Sequence, residues 1–187
     1  MMRLGGCAAE TACDSSLYFA LHRSVSGIYP FDTENLTKED YRDFARVMER
    51  YIWPRAGGVD RLDIFTVGYG KYLRDRGIDS ITMETLDGSE PYEAAAETVM
   101  AQIDAGYPIP TLILQHRDKK YKEYIWHWFL INGYEMREDG HLMVKAVTYS
   151  NFEWLDLKGL WNTGYARRGG LVLFSQAQET AQINAEK

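Results

Sequence analysis

The apolar stretch spanning residues 124–135 constrains the fold of this chain most, because it reads as a buried strand and carries one histidine. Side chains along a strand alternate between two faces. This period assigns the side chains to two sets: His127, Phe129 and Ile131 on one face, and Trp126, Trp128 and Leu130 on the other. We expect Gly133 to end the strand. His127 is then either a core histidine satisfied by a backbone carbonyl or a functional base with a partner elsewhere.

The order of helical and strand-like patterns predicts an α+β fold. Four helical patterns come first, starting near residues 14, 37, 60 and 89, with a short strand pattern at 78–83. Four strand patterns follow, at residues 111–116, 124–132, 142–149 and 170–174. We therefore expect an N-terminal helical half, with a buried central helix, packed on a C-terminal antiparallel sheet. The chain 1–187 forms one domain in this prediction, and the polar tail 175–187 is frayed.

Composition and charge narrow the classes of function. The 187 residues are 45% hydrophobic, enough for one large core, and the net charge of −6 comes without any basic cluster that could neutralise several phosphates. We therefore predict no nucleic-acid partner. No apolar run approaches the roughly 20 residues that cross a bilayer, so we predict no membrane association. The start of the chain lacks a signal-peptide core, which favours a cytoplasmic location, although export reopens if residues precede it.

The two cysteines, Cys7 and Cys13, are too few for a disulfide framework and lack the histidine spacing of a zinc site, so no metal or cofactor is predicted. Residues 4–7 have the small-residue pattern of lipid attachment, but no apolar segment precedes them. Residues 14–16 are capable helix caps before an apolar run, which predicts a buried helix that starts beside Cys13. A helix N-terminus stabilises a thiolate, so Cys13 is our candidate nucleophile. The alternative is a cysteine packed as a small core residue.

A cysteine that opens a buried helix, followed far downstream by a histidine strand, resembles the papain-like cysteine peptidases. The nearest resemblance is to the bacterial group related to the peptidases that process bacteriocin leaders after a double glycine. The residues that carry it are Cys13 with residues 14–17, the strand from His127 to the Gly-Tyr-Glu of 133–135, and the strand entry at 106–113. The resemblance implies a papain-like fold, with Cys13 as nucleophile and His127 as base.

The resemblance also implies a third catalytic residue at the end of the strand after the histidine. Asn151 stands at that position and could orient the imidazole by a hydrogen bond, with Asp156 as a weaker competitor. The family usually has a glutamine oxyanion donor before the nucleophile, and residues 6–12 contain none. Asp14 stands where the family prefers glycine, and its charge would raise the pKa of Cys13.

These patterns predict a cysteine-dependent hydrolase, most simply a peptidase, with the triad Cys13, His127 and Asn151 and a peptide or protein as substrate. Two alternatives stay open. The first is a catalytically inactive papain-like domain that binds proteins or peptides, and the second is an unrelated α+β protein in which both residues belong to the core. The sequence does not indicate the oligomeric state.

Overall fold

The architecture was obtained as a computed structural model, which describes residues 6–177. Six strands form one sheet in the order β1-β6-β2-β3-β4-β5, and each neighbouring pair is antiparallel. The helices are α1 Cys7–His22, α2 Lys38–Met48, α3 Leu62–Asp75, α4 Tyr92–Asp104 and α5 Leu157–Trp161. The strands are β1 Ile81–Asp87, β2 Ile109–Ile113, β3 His127–Met136, β4 Leu142–Thr148, β5 Asn151–Asp156 and β6 Gly169–Gln176. A 3₁₀ helix, Lys119–Tyr124, connects β2 to β3.

The mixed α+β class and the antiparallel sheet are confirmed, but the division into a helical half and a sheet half is wrong. Helices cover both faces of the sheet: α1, α2 and α3 pack on one face, around Trp128 and Phe174. On the other face α4 and α5 enclose a second core with Phe129 and Ile131. The second layer forms because strand side chains alternate, and both faces of β2 and β3 are apolar and must be buried.

The central helix α1 starts six residues earlier than the sequence indicated. Gly6 occupies the N-cap position and Cys7 is the first helical residue. The hydroxyls of Ser15 and Ser16 donate to the carbonyls of Thr11 and Ala12, at 2.7 and 2.9 Å. Serine can either cap a helix or bond back to a carbonyl four residues earlier, so its presence did not mark the start. The alanines between Cys7 and Cys13 are compatible with a helix, and their burial in the core selects it.

The second and third helices follow the sequence signals closely. Thr37 caps α2, its Oγ1 accepting from the amide of Asp40 at 3.1 Å. In α3, a Cβ built on Gly68 would lie 2.6 Å from the carbonyl oxygen of Tyr51, so the segment after α2 approaches the helix backbone directly. Gly68, an unfavourable residue type inside a helix, therefore serves a close contact.

The strand patterns locate the sheet, with differences at strand ends. Gly133 does not end β3, which continues through Met136 after a shift of register between Ile131 and Tyr134. The edge strand β5 was not predicted, because four of its six residues are exposed and it lacks a buried apolar run. The first residues of the supposed frayed tail extend β6 through Gln176, and residues 178–187 lie outside the described part of the chain. No helix within residues 6–177 has the length and apolarity to span a bilayer.

Candidate functional site

His127 is the first residue of β3 and is 5% exposed. As the alternation predicted, its ring lies on the face of Phe129, with ring centroids 6.3 Å apart. The Nε2 atom lies 2.7 Å from Oγ1 of Thr148, the last residue of β4. Burial lowers the pKa of His127 to about 4, so the imidazole is neutral at pH 7. A neutral imidazole bonded through one nitrogen can accept a proton at the other when Nε2 carries the hydrogen.

Tyr149 lies over the imidazole of His127. The two rings are 5.0 Å apart and nearly parallel, at 21°. Tyr149 and Ser150 form the tight turn between β4 and β5, with φ of 49° and 61°. The turn places the aromatic ring back over His127, while Tyr149 itself is 71% exposed. The pKa of Tyr149 is raised by burial of its hydroxyl and then by the charges of Cys7 and Glu10, so this hydroxyl lies near the start of α1.

Cys13 is not at a helix N-terminus, and this part of the prediction is wrong. It lies in the middle of α1, is fully buried, and belongs to the core shared with α2 and α3. Burial first, and then the charges of Asp14, Glu10 and Glu49, hold its pKa well above the ordinary value. No hydrogen bond between Cys13 and His127 occurs among the described residues. Such a thiol stays protonated and packs as a small apolar group.

Cys7 has the position that the sequence analysis gave to Cys13. It is the first residue of α1, and it is partly exposed. The backbone amides of Trp128, Ala8 and Cys7 itself lie near the sulfur and lower its pKa, but burial outweighs them and the net pKa is raised. Trp128 directly follows His127 on β3, so Cys7 lies at the same end of that strand as the histidine, but the thiol packs on the Trp128 face and the imidazole lies on the Phe129 face. No hydrogen bond between the two groups occurs among the described residues. The thiol is protonated at neutral pH, next to amides that would stabilise an anion.

The two candidates for the third catalytic residue lie elsewhere. Asn151 is exposed at the start of β5, and its Oδ1 accepts from the amide of Phe152 at 2.9 Å. Asp156 bonds to His141 Nδ1 at 3.0 Å and accepts from the amide of Gly159 at the start of α5. In the described residues the side-chain partner of His127 is Thr148. The position at the end of the strand, which the resemblance assigned to Asn151, is therefore occupied by Thr148, three residues earlier.

A cavity of about 440 Å³ opens between α1 and the end of β4, and we call it the α1–β4 groove. Its walls are Glu10, Thr11 and Asp14 of α1, the segment around α2 from residue 36 to residue 42, and the 147–150 turn with Trp128. Glu10 and Asp14 lie one and two turns beyond Cys7 on the same side of α1. Burial raises the pKa of both carboxyl groups, and the charge of Asp14 raises that of Glu10 further. Cys7 and His127 are not among the residues that line the groove, which passes two carboxyl groups of the helix that Cys7 begins.

Two signals in the sequence could have indicated Cys7 and Thr148 as site residues. Gly6 before Cys7, with alanines after it, is compatible with a helix that starts at Cys7. Thr148 is the last polar residue of its strand pattern before the Tyr-Ser-Asn turn. Neither signal carries information about the distance to His127, which only the packing of α1 on β3 provides.

Comparison with models of protein families, with curated proteins and with solved structures finds no match to this chain. Among residues 6–177, no three side chains of the metal-binding types come together as a metal site would require. The groups that can carry chemistry here are the Cys7 thiol, the His127 imidazole and the Thr148 hydroxyl, together with the α1–β4 groove.

Proposed function

We propose that the protein is a cysteine-dependent hydrolase of amide bonds, with Cys7 as nucleophile, His127 as general base and Thr148 as the positioning residue. The observation that carries the proposal is the placement of the Cys7 thiol at the N-terminus of α1, near the amide that directly follows His127. Nucleophile, base and positioning group then come from α1, β3 and β4, as in a Cys-His dyad oriented by a third residue.

The protonation states define how this site would work. Burial keeps the Cys7 thiol protonated and His127 neutral, so the resting pair is uncharged. The two groups lie on opposite faces of β3 in the resting protein, so the proposal requires them to meet around the end of the strand, where His127 is the first residue. The thiol proton then moves to the free imidazole nitrogen as the sulfur attacks the carbonyl carbon. The imidazolium then returns the proton to the leaving amine as the carbon–nitrogen bond breaks, and water hydrolyses the thioester. Thr148 holds the ring through Nε2, which keeps Nδ1 available for both transfers.

Backbone amides can take the role of the glutamine that the sequence lacks. The negative charge of the tetrahedral intermediate develops close to the attacking sulfur, and the amides at the start of α1 have no helical partners. Gly6 has no side chain to cap the helix. One oxyanion donor is commonly worth about 3 kcal/mol at the transition state, so one amide that donates to the intermediate would replace the glutamine.

Backbone conformation gives independent support. Within residues 6–177, four non-glycine residues have a positive φ, and three of them flank His127: Trp126, Tyr149 and Ser150. Tyr149 and Ser150 are the central pair of the two-residue β4–β5 turn, where positive φ is the usual conformation. Trp126 has no such turn, and a strained residue of this kind costs roughly 1 kcal/mol or more and is often found at a functional site. The order of a cysteine helix followed by a histidine strand is also that of the papain-like peptidases, which is why we favour a peptide substrate.

The test is turnover of a fluorogenic peptide library by the wild type and by three variants. Cys7→Ser and His127→Ala should each abolish hydrolysis, and Cys13→Ser should retain it, because Cys13 only fills the core. A protein in which Cys13→Ser loses activity while remaining folded, or in which Cys7→Ser keeps it, would contradict the assignment. Circular dichroism of each variant separates loss of chemistry from loss of folding.

The second candidate function is a peptide-binding module without turnover. The raised pKa of Cys7 favours it, because an enzyme with a preformed thiolate would have a lowered one. It predicts that peptides bind in the groove equally well to the wild type and to Cys7→Ser, with no hydrolysis by either. Acylation of Cys7 by a peptide carrying a reactive carbonyl, detected by mass spectrometry, would decide for the enzyme.

A further inference from the structure

The α1–β4 groove contains two carboxyl groups, those of Glu10 and Asp14, that no cationic side chain of the described residues pairs with. No hydrogen bond or ion pair of the Glu10 side chain occurs within residues 6–177, and Asp14 has one partner, the Tyr41 hydroxyl, at 2.6 Å. Lys38 and Arg42 stand on the opposite wall but form no ion pair with either carboxylate. Two half-buried carboxylates that repel each other favour a bound cation.

The groove also has an apolar lining that a water-filled channel would not need. Leu36, which is 47% exposed, and Tyr149, which is 71% exposed, both line the groove together with the buried Trp128. Large apolar side chains that converge on one concave surface mark a site for an organic ligand. The groove thus pairs apolar walls with carboxylates, and its ligand should combine an apolar body with a positive charge.

A peptide with a lysine or arginine side chain fits both features. The aliphatic stem of such a side chain packs along apolar surface while its charged end reaches a carboxylate. Glu10 lies one helical turn from Cys7, which is the distance of a side chain adjacent to a reacting carbonyl. We propose that the groove binds an extended peptide and that Glu10 and Asp14 select a basic side chain next to the bond at Cys7.

This inference rests on the proposed function only for the position of the reacting bond, since binding itself needs only the groove. The test therefore measures binding to Cys7→Ser, in which hydrolysis cannot interfere. The probes are three blocked pentapeptides that differ at the central residue, which is lysine, norleucine or glutamate. Norleucine keeps the apolar stem and removes the charge, so the ratio of the lysine and norleucine dissociation constants isolates the contribution of the carboxylates.

We expect the lysine peptide to bind about tenfold more tightly than the norleucine peptide, and the glutamate peptide to bind most weakly. Glu10→Gln with Asp14→Asn should reduce the ratio to within about twofold. Glu93→Gln with Glu97→Gln, an exposed double change of equal charge on α4, should leave it unchanged. High salt should weaken the lysine preference as well, because the carboxylates remain partly exposed.

Equal binding of the lysine and norleucine peptides, a ratio unaffected by the double substitution, or no binding of any peptide would overturn the inference. So would sedimentation data showing that a second copy of the chain fills the groove in a dimer that Tyr149→Ala dissociates. If the lysine peptide binds selectively while the wild type shows no turnover and no acylation of Cys7, then the proposed hydrolase fails and the inference about the groove stands.

Discussion

His127 Nε2 lies 2.7 Å from Thr148 Oγ1 across the end of the β3–β4 pair. This distance makes Thr148 the group that fixes the orientation of the imidazole. A hydroxyl supplies no charge, so unlike an aspartate it cannot stabilise an imidazolium by Coulomb attraction. Burial lowers the pKa of His127 to about 4, and Thr148 supplies no charge that would raise it again, so His127 is a weak base.

Replacement of Thr148 by valine should reduce turnover about tenfold or more, because the ring loses the one side-chain hydrogen bond that it has within residues 6–177. The Thr148→Ser variant should restore most of the activity, since it keeps the hydroxyl. Nitrogen chemical shifts of the imidazole provide a second readout, and they should report a mixture of tautomers in Thr148→Val. A valine variant with unchanged activity and unchanged shifts would show that the bond is structural only.

The two thiols should differ in reactivity in the direction opposite to the sequence-based expectation. Cys7 should react with iodoacetamide in the folded protein, slowly at neutral pH and faster as the pH rises, because burial raises its pKa. Cys13 should react only after unfolding, since no part of it is accessible. Mass spectrometry of labelled peptides across a pH series distinguishes the two. Faster labelling of Cys13 in the native state would refute the placement of both residues.

The buried imidazole should make stability depend on pH. The pKa of His127 falls from an ordinary 6.5 to about 4 on folding, so the unfolded chain binds the proton more strongly. The resulting stability is fully present above pH 6.5 and is lost as the pH falls towards 4. This contribution to the free energy of unfolding is at most about 3 kcal/mol, because the pKa falls by about 2.5 and each pKa unit corresponds to 1.36 kcal/mol.

Glu10 and Asp14 act in the opposite direction, because their raised pKa values favour the folded state as the pH falls. The His127 contribution is therefore the difference between urea unfolding of the wild type and of His127→Gln. We expect this difference to change between pH 7 and pH 4, with the wild type losing more stability. Parallel pH profiles for the two proteins would show that His127 is not buried in its neutral form.

Gly68→Ala should destabilise the fold although alanine favours helices. The new Cβ would meet the Tyr51 carbonyl oxygen at 2.6 Å, a separation that forces the backbone apart. We expect a loss of about 2 kcal/mol in the free energy of unfolding, typical of overpacking. Gly70→Ala is the matched control in the same helix, because its nearest neighbour is a flexible arginine end at 3.4 Å. There the helix propensity should prevail, and the effect should be neutral or stabilising by up to about 1 kcal/mol.

The sequence by itself determined the elements whose signals are local. The period of two assigned His127 and Phe129 to one face of β3, because alternation follows from strand geometry alone. Thr37 and Asp40 indicate the start of α2, because a capping box is complete within four residues. The mixed fold class followed from the order of such local patterns.

Tertiary structure decided everything that depends on contacts between distant parts of the chain. Residues 14–16 can cap a helix or continue one, and packing of the alanine-rich turn of α1 on β3 selected the second. That choice moved Cys13 into the core and left Cys7 at the helix N-terminus. The strand pairing of β3 with β4 likewise brought Thr148, and not Asn151, to the imidazole. A hydrogen bond depends on register to within one residue, and register is set by the packing of whole faces, which no local pattern encodes.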